Sequence, residues 1–157
     1  MKGRELTFER TFETGVLSSF FCGVRKIDQL IHKANNGLNS FISENKCEFY
    51  IVKSQDEPVA LFVFSESSIL VNDIEHASLE LDFIAVKSEY REMGIGRTII
   101  DTLEEHAKNN DYHFLTVGAY HDKRYSAEGF YLKCGFERNE EEIANRNIIP
   151  MLKYLEG

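Results

Sequence analysis

Residues 79–100, LELDFIAVKSEYREMGIGRTII, limit what this chain can fold into more than any other stretch. They read as a buried strand ending at Val86, a polar turn closed by Arg91-Glu92-Met93-Gly94-Ile95-Gly96, and a helix opening near Ile95. The apolar run FIAV at 83–86 points to burial on both faces of the strand end. Strand, glycine turn and helix N-terminus in that order make an anion site. The first backbone N–H groups of a helix lack intrahelical partners and point along the positive end of its dipole. A phosphate-bearing ligand is therefore expected. The plain alternative is a strand-to-helix turn with two solvated arginines, Arg91 and Arg97.

The rest of the chain supplies a sheet and helices around that unit. Residues 5–10 alternate well enough for a first strand. Between 24 and 42 the apolar positions Val24, Ile27, Leu30, Ile31, Ala34, Leu38, Phe41 and Ile42 recur at helical spacing, divided or bent at Asn35-Asn36-Gly37. Residues 48–54 and 58–65 are β-branched and aromatic runs around Gln55-Asp56-Glu57, the signature of an antiparallel hairpin. The polar stretch 66–76 reads as a loop or short strand before the strand at 77–86. After the glycine turn, Ile99, Ile100, Leu103 and Ala107 mark the buried face of a helix ending near Asn109-Asn110. Residues 113–120 form the next strand, parallel to the earlier one because a helix intervenes. Residues 126–133 form a short helix with Gly135 at C′. A last antiparallel pair follows at 136–139 and 148–155, with Pro150 placing the final strand at an edge or a bulge. The expected fold class is α/β (α+β mixed): a central mixed, mostly antiparallel, twisted sheet of six to seven strands flanked by helices.

Composition narrows the function classes. A chain of 157 residues, 43% hydrophobic with 12 Phe and 7 Tyr, can fill one core, and two prolines and no Gly/Ser-rich tract leave no linker. One domain over 1–157 is expected. The N-terminus has no apolar h-region and no run approaches a bilayer span, so a soluble, cytoplasmic protein without membrane contact is expected. Cys22, Cys47 and Cys134 are odd in number and widely spaced, which reads as buried free thiols. His32, His76, His106, His113 and His121 form no HxxxH or HxH pair, so no metal is expected. With 18 Lys+Arg against 26 Asp+Glu the net charge is -8, which works against broad nucleic-acid binding but leaves room for a local basic pocket.

Three features together resemble the GNAT N-acetyltransferase superfamily. Arg91-x-x-Gly94-x-Gly96 looks like its pyrophosphate motif, Phe83-Ile84-Ala85-Val86 like the strand end before it, and AEGFYLKCGF at 127–136 like its late helix and strand. The match covers about 48–155, and departs from the pattern at Arg124, where many members carry Asn. Phe21-Cys22-Gly23 with Ile27, Asp28 and Ile31 is similar to the toxin-like branch, which acetylates the amino group of aminoacyl-tRNA. The resemblance implies the acyl-CoA N-acyltransferase type of fold, acetyl-CoA as cosubstrate, an amine acceptor, no metal and, as members often dimerise, a homodimer.

By that resemblance each requirement of acyl transfer has a candidate. Backbone N–H groups of Arg91, Glu92, Met93, Gly94, Ile95, Gly96 and Arg97, with Thr98 beyond them, would bind the pyrophosphate, glycine permitting an approach that a Cβ would obstruct. Ile84, Ala85 and Val86 would belong to the same site, with the N–H of Ile84 or Val86 polarising the thioester carbonyl. Tyr131, also beside the cofactor, would be the general acid that protonates the departing thiolate. A phenol of unperturbed pKa about 10 holds its proton at neutral pH. Glu80 and Asp82 lie two apart on one strand and project from one face. One of them would take the amine proton, directly or through water, unless each is a solvated strand carboxylate or a selector of substrate charge. Cys134 before the C′ glycine reads as packing rather than as an acetyl carrier. His121 with Asp122, Lys123 and Arg124 would line the cleft. A toxin-like enzyme acting on charged tRNA and a non-catalytic acyl-CoA-binding module are the competing readings, and the specificity segments would be the N-terminal helices, 66–75 and 121–125.

Overall fold

The computed structural model describes residues 5–10, 47–122, 126–140 and 147–155. The helical segment expected at 24–42, Cys22 and the loop residues Lys123, Arg124 and Tyr125 lie outside the described residues. Element labels below count the described elements in chain order.

Seven strands form one mixed sheet, in the order β1-β2-β3-β4-β5-β7-β6. β1 (Leu6–Arg10), β2 (Cys47–Ser54) and β3 (Glu57–Val71) are joined by antiparallel ladders. β4 (Ile74–Val86) leads through a single 3-10 turn at Ser88–Tyr90 to α1 (Ile95–Asn109). β5 (Phe114–Tyr120) then runs parallel to β4, as a crossover through a helix requires. α2 (Glu128–Lys133), β6 (Glu137–Arg138) and β7 (Ile148–Tyr154) complete the described order. Among the described residues, no helix is long and apolar enough to cross a membrane.

Of the two readings of residues 66–76, a loop or a short strand, the structure has the strand. β3 continues to Val71, turns on Asn72-Asp73 alone, and β4 starts at Ile74. Both turn residues have positive φ (52° and 64°), the form whose twist matches the flanking strands, and Gln55-Asp56 repeats it at 53° and 63°. The polar residues Glu66, Ser67 and Ser68 are solvent-exposed on a strand, which hides the strand from an apolar-pattern reading.

Pro150 also differs from the expected edge or bulge, because β7 lies between β5 and β6 and its register with β5 is unbroken through Gly118↔Pro150. Its carbonyl accepts the Asn139 N–H at 2.9 Å. The return bond of that pair needs a donor that proline lacks, so the β6 ladder stops after Arg138↔Met151 and β6 is two residues long.

Two compact units divide the described chain: Met1–Ser65 with Phe83–Ile99, and Glu66–Asp82 with Ile100–Gly157. In the first, Phe49, Ile51, Leu61, Phe83, Ile95 and Ile99 are buried, and Phe49 meets Phe83 edge to face at 5.9 Å. In the second, strand alternation sorts two faces. Leu79, Leu81, Leu115, Val117 and Met151 are buried on one. Glu80, Asp82, Thr116 and Gly118 belong to the other, set by the pairing of Glu80 with Thr116 and of Gly118 with Pro150.

α2 has only six residues, too few to hold a helix without tertiary support. Its C-terminus closes as a Schellman motif. The Gly135 N–H donates to Leu132 O (3.1 Å) and the Phe136 N–H to Tyr131 O (3.0 Å), with Gly135 at φ +93° as C′. A Cβ on Gly135 would also meet Lys153 Cε at 3.2 Å. Gly135→Ala is expected to lower stability by about 1–2 kcal/mol, the cost of a left-handed non-glycine residue, read as a lower urea midpoint at unchanged m-value.

Candidate functional site

In the first unit, the end of β4 and the start of α1 are built around two left-handed residues. Glu92 (φ 63°) and Gly94 (φ 79°) reverse the chain so that α1 begins immediately at Ile95. The loop is tied back at both sides. The Lys87 N–H donates to Val59 O (2.9 Å), Tyr90 Oη to Glu57 Oε2 (2.9 Å), and Arg91 Nε to Val86 O (3.4 Å).

Gly94 is the N-cap, its carbonyl accepting both the N–H and the hydroxyl of Thr98 at 3.0 Å each. Helix geometry leaves the N–H groups of Ile95 and Gly96 without intrahelical acceptors. An acidic residue in the first turn normally compensates such a terminus, and α1 has none there. A Cβ on Gly94 would meet nothing within 4 Å, so the space over the loop is open, and Arg91, Glu92, Met93 and Arg97 are all exposed. Open donors at a dipole's positive end, beside two exposed guanidiniums, suit a polyanion such as a diphosphate.

At the strand itself, Phe83 and Ala85 are buried while Ile84 and Val86 are half-buried. The parallel ladder pairs β4 with β5 only from Ser78↔Phe114 to Leu81↔Val117, although β4 runs on to Val86 and β5 to Tyr120. A strand that outruns its ladder keeps peptide groups that can serve a bound carbonyl instead.

In the second unit, Glu80 and Asp82 stand at the point where that ladder ends. Glu80 is half-buried and accepts the Thr116 hydroxyl at 3.4 Å, while Asp82 is exposed. They line a depression of about 250 Å³ with Thr116, Asn139, Ile148 and Pro150. Asn139 and Pro150, which sequence patterns did not single out for a site, enter because their chain pairing places them beside Thr116's face. Gly118 lies in the same wall, where a Cβ would fall 2.7 Å from Ile148 Cγ2.

Tyr131 is the buried residue of α2, its ring edge-on to Phe130 (5.2 Å) and Phe136 (5.5 Å). Both ends of α2 are fastened. At the start, Glu128 takes a two-point ion pair from Arg138 Nε and Nη2, which holds its carboxyl below the usual range. At the end, Lys153 Nζ donates to Cys134 O (2.9 Å) and to Glu104 Oε2 (2.7 Å) of α1. Cys134 and Cys47 are buried free thiols. Tyr120 Oη donates to Asp122 Oδ2 (2.9 Å), which raises the phenol's pKa, and His121 bridges to Ser126. Among the described residues, no group of three or more His, Cys, Asp or Glu side chains is arranged around a metal position.

The model of the GNAT acetyltransferase family matches residues 18–136. No curated protein matches the chain. Among solved structures, a tyrosine-to-phenylalanine variant of the AtaT toxin, bound to the C-terminus of the antitoxin AtaR and acetyl-CoA, is similar over 96% of this chain and 93% of its own, at 15% identity and TM-score 0.69. A Bacillus subtilis acetyltransferase in complex with CoA is similar over 97% of this chain and 100% of its own, at 18% identity and TM-score 0.68. A KacTA–DNA complex is similar over 96% and 94%, at 18% identity and TM-score 0.62.

Burial pushes the Glu104 carboxyl up, but the hydrogen bonds and charges of Lys153 and Lys108 outweigh it and hold it below the usual carboxylate range. A lowered folded-state pKa means stability that is present above the unfolded value and lost as pH falls through the folded one. Glu104→Gln is thus expected to cost about 1 kcal/mol at neutral pH, a value discounted for partial exposure. The gap from wild type should close as pH drops below about 4.5, measured by urea unfolding at stepped pH.

Proposed function

The chain belongs to the GNAT acetyltransferase family, and from that membership we propose that it transfers an acetyl group from acetyl-CoA to a primary amine by direct transfer in a ternary complex. The observation that carries the reading is the start of α1: open backbone donors, a left-handed glycine and no acid in the first turn. The backbone N–H groups of the loop and of Ile95 and Gly96 bind the pyrophosphate, with Arg91 and Arg97 adding charge-assisted bonds. Acetyl-CoA supplies the acetyl group as an activated thioester.

The peptide N–H of Ile84 or Val86 holds the thioester carbonyl and stabilises negative charge as it develops on the oxygen. One of the carboxylates, Glu80 or Asp82, accepts the proton of the attacking amine directly or through water. The amine nitrogen bonds to the carbonyl carbon, the carbon–sulfur bond breaks, and the Tyr131 hydroxyl gives its proton to the thiolate. Cys134, 2% exposed at the closed end of α2, has a packing role here and carries no acetyl group.

A second reading, transfer to the amino group of an aminoacyl-tRNA, is what the resemblance of Phe21-Cys22-Gly23, Ile27, Asp28 and Ile31 to the toxin-like branch implies, and the AtaT structure to which the chain is similar is that of a toxin. The net charge of -8 opposes it, since a folded RNA needs a basic face. Acetyl-CoA-dependent labelling of charged tRNA, with small amines unreactive, would favour it.

Two measurements test the main reading. Calorimetry should detect coenzyme A binding that weakens by about tenfold in Gly94→Val, whose β-branched side chain resists a positive φ. Tyr131→Phe should lower turnover by roughly 10²–10³-fold, the range for a lost general acid, with coenzyme A affinity unchanged. No affinity for coenzyme A in the wild type would remove the reading.

A further inference from the structure

Lys153 joins three elements of the second unit. Its register partner on β5 is Leu115, so it stands on the same face of the sheet as Leu115 and Met151, with its side chain only 18% exposed. From β7 its ammonium donates to Glu104 Oε2 of α1 (2.7 Å) and to the carbonyl of Cys134, the C-cap of α2 (2.9 Å). Glu104 meets Lys108 through its other oxygen, Oε1, at 3.4 Å. Gly135 clears the way, because a Cβ there would stand 3.2 Å from Lys153 Cε and 3.3 Å from Nζ.

The Cys134 carbonyl belongs to the end of α2, where carbonyls lack intrahelical donors and carry the negative end of the dipole. The same turn holds Tyr131. Its carbonyl accepts the N–H groups of Cys134 (3.1 Å) and Phe136 (3.0 Å), so a shift at Cys134 passes to the Tyr131 backbone within one turn. At the other end of α2, Arg138 pairs with Glu128 but is 56% exposed. Water screens so exposed a pair, which leaves the Lys153 bridge as the firmer of the two anchors.

We propose that Lys153 is a positioning residue for acyl transfer, its bridge between Glu104 and the Cys134 carbonyl fixing α2 so that the Tyr131 hydroxyl meets the departing thiolate. The inference rests on the acid role proposed for Tyr131 and adds the device that sets it. Lys153 acts through α2 and not on the reacting atoms. A reacting group displaced by about 1 Å costs on the order of 10²-fold in rate, whereas the backbone donors of residues 91–97 hold the carrier without drawing on Lys153.

The test is the nuclear magnetic resonance signal of Tyr131 in the full chain with ¹³C at the tyrosine Cζ, assigned by its loss in Tyr131→Phe. Coenzyme A should shift that signal in the wild type. In Lys153→Met most of the shift should be lost while calorimetry gives an unchanged coenzyme A affinity, a combination that a general loss of stability does not produce. Thiol release from acetyl-CoA with ethylamine as acceptor supplies the rate. Lys153→Met should lower kcat roughly 10- to 100-fold in the wild-type background and no further in Tyr131→Phe, since residues acting through one group are not additive. A full Tyr131 shift in Lys153→Met overturns the inference, as do additive losses. Should Lys153→Met fail to fold, Glu104→Ala, which frees the ammonium from α1, is carried through the same measurements with the same outcomes deciding. Coenzyme A that binds the wild type without moving the Tyr131 signal would remove the acid role of Tyr131 together with this inference, and a wild type that does not bind coenzyme A would remove the acetyltransferase reading as a whole.

Discussion

α1 begins where most helices would place an acid and instead places glycines and an arginine. Glu or Asp in that first turn would typically stabilise the terminus by about 0.3–1 kcal/mol, and this chain forgoes that. The helix is held by its buried side instead. Ile95, Ile99, Ile100, Leu103 and Ala107 are each 5% exposed or less, and each large apolar side chain so buried contributes on the order of 1.5–3 kcal/mol. Burial along the helix outweighs the uncompensated charge at its end by several-fold. The terminus is therefore free to answer to a ligand, and the left-handed Glu92 and Gly94 make the turn that aims it.

The same division of labour explains α2. A six-residue helix has no intrinsic stability, so its position is dictated by what grips it. Arg138 grips Glu128 at one end, and Lys153 grips the Cys134 carbonyl at the other while reaching Glu104. Tyr131 lies between these two anchors with its ring packed against Phe130 and Phe136. The proton-donor role proposed for Tyr131 would require it to meet its acceptor within a few tenths of an ångström. Anchoring both ends of a short helix is a more direct way to that precision than lengthening it, because each added turn would need its own buried face.

Local pattern made some of this legible in the sequence. The strand–glycine–helix order, the apolar face of α1, the parallel β5 and the C′ role of Gly135 all depend on spacing within a few residues, and the structure places them as read. What was left open and what was misread share a cause. Residues 66–76 stayed open between a loop and a short strand because exposed strand residues need not be apolar. Pro150 looked like an edge marker because only the register with Asn139 reveals that its missing donor ends β6 rather than β7. Tethers such as Lys153–Glu104, 49 residues apart, and the approach of Asn139 to Thr116's face depend on topology that no window of sequence contains.

Strand alternation also separates what keeps the second unit folded from what it can recognise. Leu79, Leu81, Leu115, Val117 and Met151 are buried, with Leu81, Val117 and Met151 at the floor of the depression, whereas their immediate neighbours Glu80, Asp82, Thr116 and Gly118 form its wall. A change at an even-numbered position of β4 or β5 near the ladder's end alters charge or shape in the depression while the packed face keeps its contacts. A change one residue away disturbs a core that tolerates little loss of volume. One fold can on this basis present different side-chain chemistry at 80, 82, 116 and 118 without new backbone. The upper end of the parallel ladder is where that freedom is greatest, because there the strands no longer need each other's hydrogen bonds to stay in register.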